Sequence, residues 1–139
     1  MKILFFDDER DRFEIFKTRF PSDTIVYAQT IDECRRLLES HINGTNYFDV
    51  IHFDHDIYDE KLKAWYNTQG IAEWFVTKCP PDRKPKMAVI HSVNDAGGWA
   101  LYHIFMKLVK TWRSPFRLES PNDYALAALI GDSLELKGS

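Results

Sequence analysis

Cysteine is scarce in this chain: Cys34 and Cys79 are the only two, and they lack the close spacing of a metal-binding pair. With no signal-peptide pattern at the amino terminus, both are expected to be reduced thiols of a cytoplasmic protein, Cys34 as core. Positive charge in excess is also lacking, since 18 Lys and Arg face 21 Asp and Glu for a net charge of -3. A grip on duplex nucleic acid comes from surplus Lys and Arg, so none is expected. No apolar run approaches the roughly 20 residues that cross a bilayer. Neither an internal repeat nor a low-complexity tract is present, which excludes a solenoid.

What is there suits one domain. The 139 residues are 45% hydrophobic, enough for a single buried core but too few for two. Residues 1–139 are therefore read as one unit, with a tail expected to fray from about residue 131. Lys2-Ile3-Leu4-Phe5-Phe6 is a continuous apolar run that stops at Asp7-Asp8-Glu9, as a strand buried on both faces would. Phe13, Phe16 and Phe20 recur at helical spacing until Pro21, and Thr24 to Ala28 reads as a second strand. Thr30 with Glu33 forms a capping box for a helix with the stripe Ile31, Cys34, Leu37 and Leu38, ending near Asn43-Gly44.

Phe48 to Phe53 is a third strand, ending in Asp54-His55-Asp56. A long loop follows, and then a helix from about Gly70 that Pro80-Pro81 closes. Lys86 to Ile90 is a fourth strand, ending in His91-Ser92, and Leu101, Ile104, Phe105, Leu108 and Val109 mark the next helix. A short strand within Thr111 to Phe116 and a helix over Ala125 to Ile130 complete the expected order. Alternation of this kind predicts an α/β fold with a doubly wound parallel sheet of about five strands and helices on both faces. Sites in such sheets form outside the carboxyl ends of the strands.

Ionisable residues stand at those ends. Asp7, Asp8 and Asp54 follow strands expected to be neighbours, and three oxygen donors together suit a divalent ion, Mg or alternatively Mn. The plainer alternative is that these carboxylates only cap loops. His55 and His91 follow adjacent strands and are candidates for proton transfer, because imidazole titrates near neutrality, while Asp56 could orient one of them. His52, inside a strand, reads as a satisfied sheet histidine. Ser92 and Asn94, in the run Ser92 to Gly98, could receive phosphate oxygens or simply cap the helix. Arg10 and Arg12 could pair with a ligand phosphate or decorate the first helix. Trp65 and Tyr66, in the loop from Tyr58 to Gln69, could form a lid that stacks on a base or tuck against the domain.

The acidic pair after strand one, Asp54 after strand three and Ser92 after strand four resemble the response-regulator receiver domain. That resemblance implies a flavodoxin-like fold, Asp7 and Asp8 at magnesium, Asp54 as phosphoacceptor and Ser92 as the phosphoryl-sensing hydroxyl. Receivers carry a Lys before a Pro after strand five, where this chain has Ser114-Pro115. The patterns Leu4-Phe5-Phe6-Asp7-Asp8-Glu9-Arg10, Asp54-His55-Asp56 and Ile90-His91-Ser92-Val93-Asn94 are similar to those of the cyclic-phosphate processing receiver domain, a family of phages and bacteria. Asp95 stands where a Pro is expected after Asn94, and the long loop replaces a short turn after Asp56.

The leading expectation is a metal-dependent phosphoesterase acting on a cyclic phosphate, either a cyclic nucleotide or an RNA end with a 2′,3′-cyclic phosphate. Asp7, Asp8 and Asp54 would hold the ion and His55 and His91 would move protons, with Asp54 as an alternative covalent nucleophile. Arg10, Ser92 and Asn94 would hold the substrate. The alternative is a non-enzymatic module that sequesters a cyclic nucleotide or a protein partner. A receiver phosphorylated on Asp54 is disfavoured by the missing Lys. If phage-encoded, the protein would work in the host cytoplasm.

Overall fold

The computed structural model describes residues 1–92 and 94–113. The stop of the first apolar run is real: β1 (Lys2–Phe6) ends where the acidic triplet begins, and α1 (Arg10–Arg19) turns Phe13 and Phe16 inward. β2 (Thr24–Ala28) leads into α2 (Ile31–Ile42), whose start carries the expected reciprocal cap: Thr30 accepts from the Glu33 amide, and Glu33 accepts from that of Thr30. Gly44 follows at φ 90°, a left-handed turn that glycine adopts without strain. β3 (Val50–Phe53), α3 (Gln69–Lys78), β6 (Met87–Ile90), α4 (Asp95–Met106) and β7 (Thr111–Arg113) complete the alternation. The expected closing helix, the tail and Ser114-Pro115 lie outside the described residues.

Five strands pair in parallel in the order β2-β1-β3-β6-β7, so the chain reverses direction across the sheet between β1 and β3. The fold is the expected receiver-like α/β sheet. Strand periodicity divides the core into two layers. Leu4, Phe6, Ile51, Phe53, Ala88 and Ile90 pack with the apolar faces of α2, α3 and α4. Ile3, Phe5, Val50 and Val89 pack with Phe13, Phe16 and Phe20. No described helix is long and apolar enough to cross a membrane.

The segment expected to be a loop is a hairpin. β4 (Asp56–Asp59) and β5 (Ala64–Asn67) pair antiparallel, apart from the main sheet. The turn between them escapes a sequence reading because Lys63, not Gly or Asn, takes the positive φ of 50°. Its aromatics do not tuck against the domain. Trp65 is 68% exposed and meets the ring of Tyr58 edge-on, with centroids 5.3 Å apart. Trp65→Ala is therefore expected to change folding stability by less than about 1 kcal/mol in a urea titration; a larger loss would place the ring in a packed environment.

Candidate active site

Register builds the site. Phe6, Phe53 and Ile90 lie side by side in β1, β3 and β6, so the next residues, Asp7, Asp54 and His91, form a row across the carboxyl edge of the sheet. The ladder runs one step beyond the strands: the Asp54 amide donates to the Phe6 carbonyl and the His91 amide to that of Phe53, both at 3.1 Å. Alternation places these three side chains on the face of Phe5, His52 and Val89, the side covered by α1. All three are buried, and one ligand atom from each lies within 4.8 Å of the others.

Arg12, on the first turn of α1, closes this row from above. Its guanidinium stands 3.4 Å from Asp7 Oδ2 and 3.7 Å from Asp54 Oδ2. Burial pushes the Asp7 carboxyl up, but the His91 hydrogen bond and charge, the Glu9 amide and Arg12 together hold it below its ordinary 3.8. Asp54 is different. Burial lifts its carboxyl to about 6, aided by the charge of Asp7 and opposed by His91, the His55 amide and Arg12.

His91 is tied at both ring nitrogens. Nε2 lies 2.9 Å from Asp7 Oδ2, and Nδ1 lies 2.6 Å from Nδ1 of His52. Burial, with the charge of His91, holds His52 well below the ordinary range. His52 is the satisfied sheet histidine that the sequence predicts, and its partner is His91. Strand parity accounts for the pairing, since residues 52 and 54 share a face.

His55 belongs to a second cluster, on the α3 and α4 side. Its Nδ1 lies 2.9 Å from Asp56 Oδ1 and its Nε2 lies 2.8 Å from the Gln69 amide nitrogen. Carboxylate at Nδ1 and amide donor at Nε2 select the tautomer with its proton on Nδ1 and its lone pair on Nε2. Asn94 does two jobs: its Oδ1 caps α4 by accepting from the Gly97 amide, and its Nδ2 donates to Asp56 Oδ2 at 3.0 Å. A third support comes from Thr68, whose hydroxyl donates to the Asp54 carbonyl and whose amide donates to that of His55. A carboxylate row, an imidazole with an oriented lone pair and an Asn-capped helix start thus share one edge of a receiver-like sheet.

A family model described as the cyclic-phosphate processing receiver domain matches residues 2–107. The chain belongs to that family. Among curated proteins none matches it.

Other expected site residues of this receiver domain lie apart from the row. The Asp8 carboxylate accepts from the Tyr58 amide at 2.8 Å, and it is raised above its ordinary value by burial first and Asp7 second. It faces the hairpin and is not in the group of possible metal ligands. Arg10 pairs with Glu14 on the exposed face of α1 and lies over the Tyr27 ring. Ser92 is buried, and its hydroxyl accepts from the Asn94 amide at 3.1 Å.

One cation at this edge escaped the sequence reading. Arg113 ends β7, one residue before Ser114, and is buried against α4, with its guanidinium 2.8 Å from Asp95 and over the Trp99 ring. The charge is at the strand end where receivers carry their Lys, but it is turned toward the start of α4. Asp7, Asp54 and His91 are the described residues that could hold a metal ion. Two carboxylates with an imidazole form a mixed oxygen and nitrogen set, which suits Mn better than Mg.

Proposed function

We propose that this receiver domain hydrolyses a cyclic phosphodiester with the help of a divalent ion. The observation that carries the reading is the row of Asp7, Asp54 and His91 within 4.8 Å, with Arg12 above it; His55 stands on the other side of the sheet edge, its amide bonded to Asp54 Oδ1. An ion bound there would polarise a phosphoryl oxygen. Arg12 is close enough to both carboxylates to exchange them for the substrate phosphate, which a guanidinium binds through two parallel N–H groups. His55 offers its Nε2 lone pair once the Gln69 amide swings aside, and takes a proton from the attacking water. Asp56 holds the imidazole through Nδ1 and stabilises it when protonated. Water oxygen joins phosphorus as the bond from phosphorus to one ester oxygen breaks; that oxygen takes a proton from solvent, the protonated His55 returns its own to solvent, and the ring is left open as a monoester.

Binding without turnover is the second reading, favoured by the fact that both ring nitrogens of His55 are held by protein groups. Phosphorus NMR of 2′,3′-cyclic nucleotides and of RNA ends carrying the cyclic phosphate, with Mn, Mg or chelator, decides between them. Ring opening that needs the ion is expected. Tight binding of a cyclic phosphate with no opening of any would replace hydrolysis by sequestration. In the same samples Mn is expected to raise the thermal midpoint of the wild-type protein by mass action, and an unchanged midpoint at saturating Mn and Mg would remove the metal from the reading.

A further inference from the structure

Beside the row, between the start of α2 and the hairpin, lies a groove of about 480 Å³. Two of its lining residues are tied to Asp8, the neighbour of Asp7: the Asp8 carboxylate accepts from the Tyr58 amide and its carbonyl accepts from the Gln29 side chain. Tyr58 supplies an aromatic wall. The polar lining is mostly acidic, with Asp32, Glu33, Asp59 and Glu60 against Arg36 and Lys61. A second phosphate would be repelled there, and the helix start is already capped by Thr30. The volume suits a nucleoside, and carboxylates suit a base edge rich in N–H donors.

The carboxylates are not equivalent. Glu33 Oε1 is taken by the Thr30 amide and hydroxyl, and Asp59 Oδ1 by the amides of Lys61 and Leu62. Asp32, exposed on the first turn of α2, and Glu60, in the turn of the hairpin, are engaged by no described residue, and of the two only Asp32 is carried on a helix, where its backbone is fixed. We propose that this groove takes the base of the cyclic-phosphate substrate and selects guanine through Asp32. Guanine alone among the four bases presents two adjacent donors, N1–H and N2–H, to a single carboxylate. Adenine and cytosine set a ring acceptor beside their amino group, and uracil flanks its one N–H with carbonyls. Arg36 and Lys61 are the cations of the same groove available to O6 and N7 of the guanine ring.

The inference rests on the proposed cyclic-phosphate reading for its substrate, but nucleosides without phosphate test it independently. Guanosine, adenosine, cytidine and uridine are titrated into ¹⁵N-labelled protein and followed by NMR. Guanosine is expected to bind about tenfold more tightly than the others, the difference one bidentate charged contact supplies, and to shift the amides of Tyr58 and Lys61. Asp32→Asn, at an exposed position, is expected to keep the fold and to bring the four nucleosides within about threefold of one another. Equal affinities in wild type, no binding of any nucleoside, or a guanosine preference that survives Asp32→Asn would overturn the assignment. Guanosine binding without ring opening of any cyclic phosphate would leave the groove standing and sink the hydrolytic reading alone.

Discussion

Asp54→Asn is expected to melt higher than wild type in chelator at pH 7 and to have lost both turnover and the response to Mn. The carboxyl is buried and its pKa stands at about 6 rather than 3.8, so at pH 7 it is ionised at a cost. A folded-state value above the unfolded one means that its stabilising contribution is complete below about pH 4 and is lost as pH rises through 6. The full shift corresponds to roughly 3 kcal/mol. Arg12, 3.7 Å away, is already counted in that shift, but the variant turns an amide group toward the guanidinium where an oxygen stood, which offsets part of the gain and leaves about 1 to 2 kcal/mol, or about 2 to 8 °C at this chain length. Asparagine keeps an oxygen for the His55 amide, which donates to Asp54 Oδ1 at 2.8 Å. The advantage of the variant should vanish by pH 4, a comparison that isolates Asp54 from the opposite tendency of Asp7. With Mn present the order reverses, because only wild type gains binding energy. A variant that melts below wild type in chelator at pH 7 would show that Arg12 more than compensates the buried charge.

The same residue shows what could be read without coordinates. Apolar runs that end abruptly in charge gave the places of Asp7, Asp54 and His91, because a strand buried on both faces must stay apolar until it leaves the sheet. Which of the ionisable residues meet was harder to read. Asp8, His55 and Ser92 are each one residue later, and alternation sends them toward the face of Phe6, Phe53 and Ile90, so one expected constellation becomes two clusters on opposite sides of the edge. Parity carries that division, but only once the register of three strands is known. Arg12 was legible as a possible phosphate partner, but its place over the row depends on helix packing, and Arg113 depends on the strand end after α4, which no local pattern encodes. The hairpin was hidden by its own chemistry, a charged turn with Lys63 in the left-handed region.

Two adjacent glycines at the start of α4 show how closely the second cluster is fitted. A Cβ on Gly98 would lie 2.7 Å from the Arg113 guanidinium, and a Cβ on Gly97 would lie 2.5 Å from the His55 ring. The guanidinium is the end of a long side chain and can shift. The imidazole cannot do so cheaply, because Asp56 and Gln69 hold both of its nitrogens and the ring is 5% exposed. The proximity of Gly97 therefore fixes where the Nε2 lone pair points.

Gly97→Ala is accordingly expected to behave as a His55 mutation made from the other side. Overpacking at such a site typically costs about 1 to 3 kcal/mol, which outweighs the gain of up to about 1 kcal/mol that alanine brings to a helix. Turnover should fall by about 10²- to 10⁴-fold, the range of a lost acid–base group, because the displaced ring no longer meets Asp56. His55→Ala removes the obstruction together with the base. In that background Gly97→Ala should be neutral or stabilising by up to about 1 kcal/mol, since only the helix propensity remains, and should lower activity no further. Urea titrations and initial rates of the two single variants and the double close the cycle, with a coupling energy of at least about 1 kcal/mol expected between the sites. Additive losses in stability would mean that Gly97 is required by the backbone of α4 and not by the imidazole. Full turnover in Gly97→Ala or in His55→Ala would remove His55 from the chemistry and leave the row of Asp7, Asp54 and His91 to act without it.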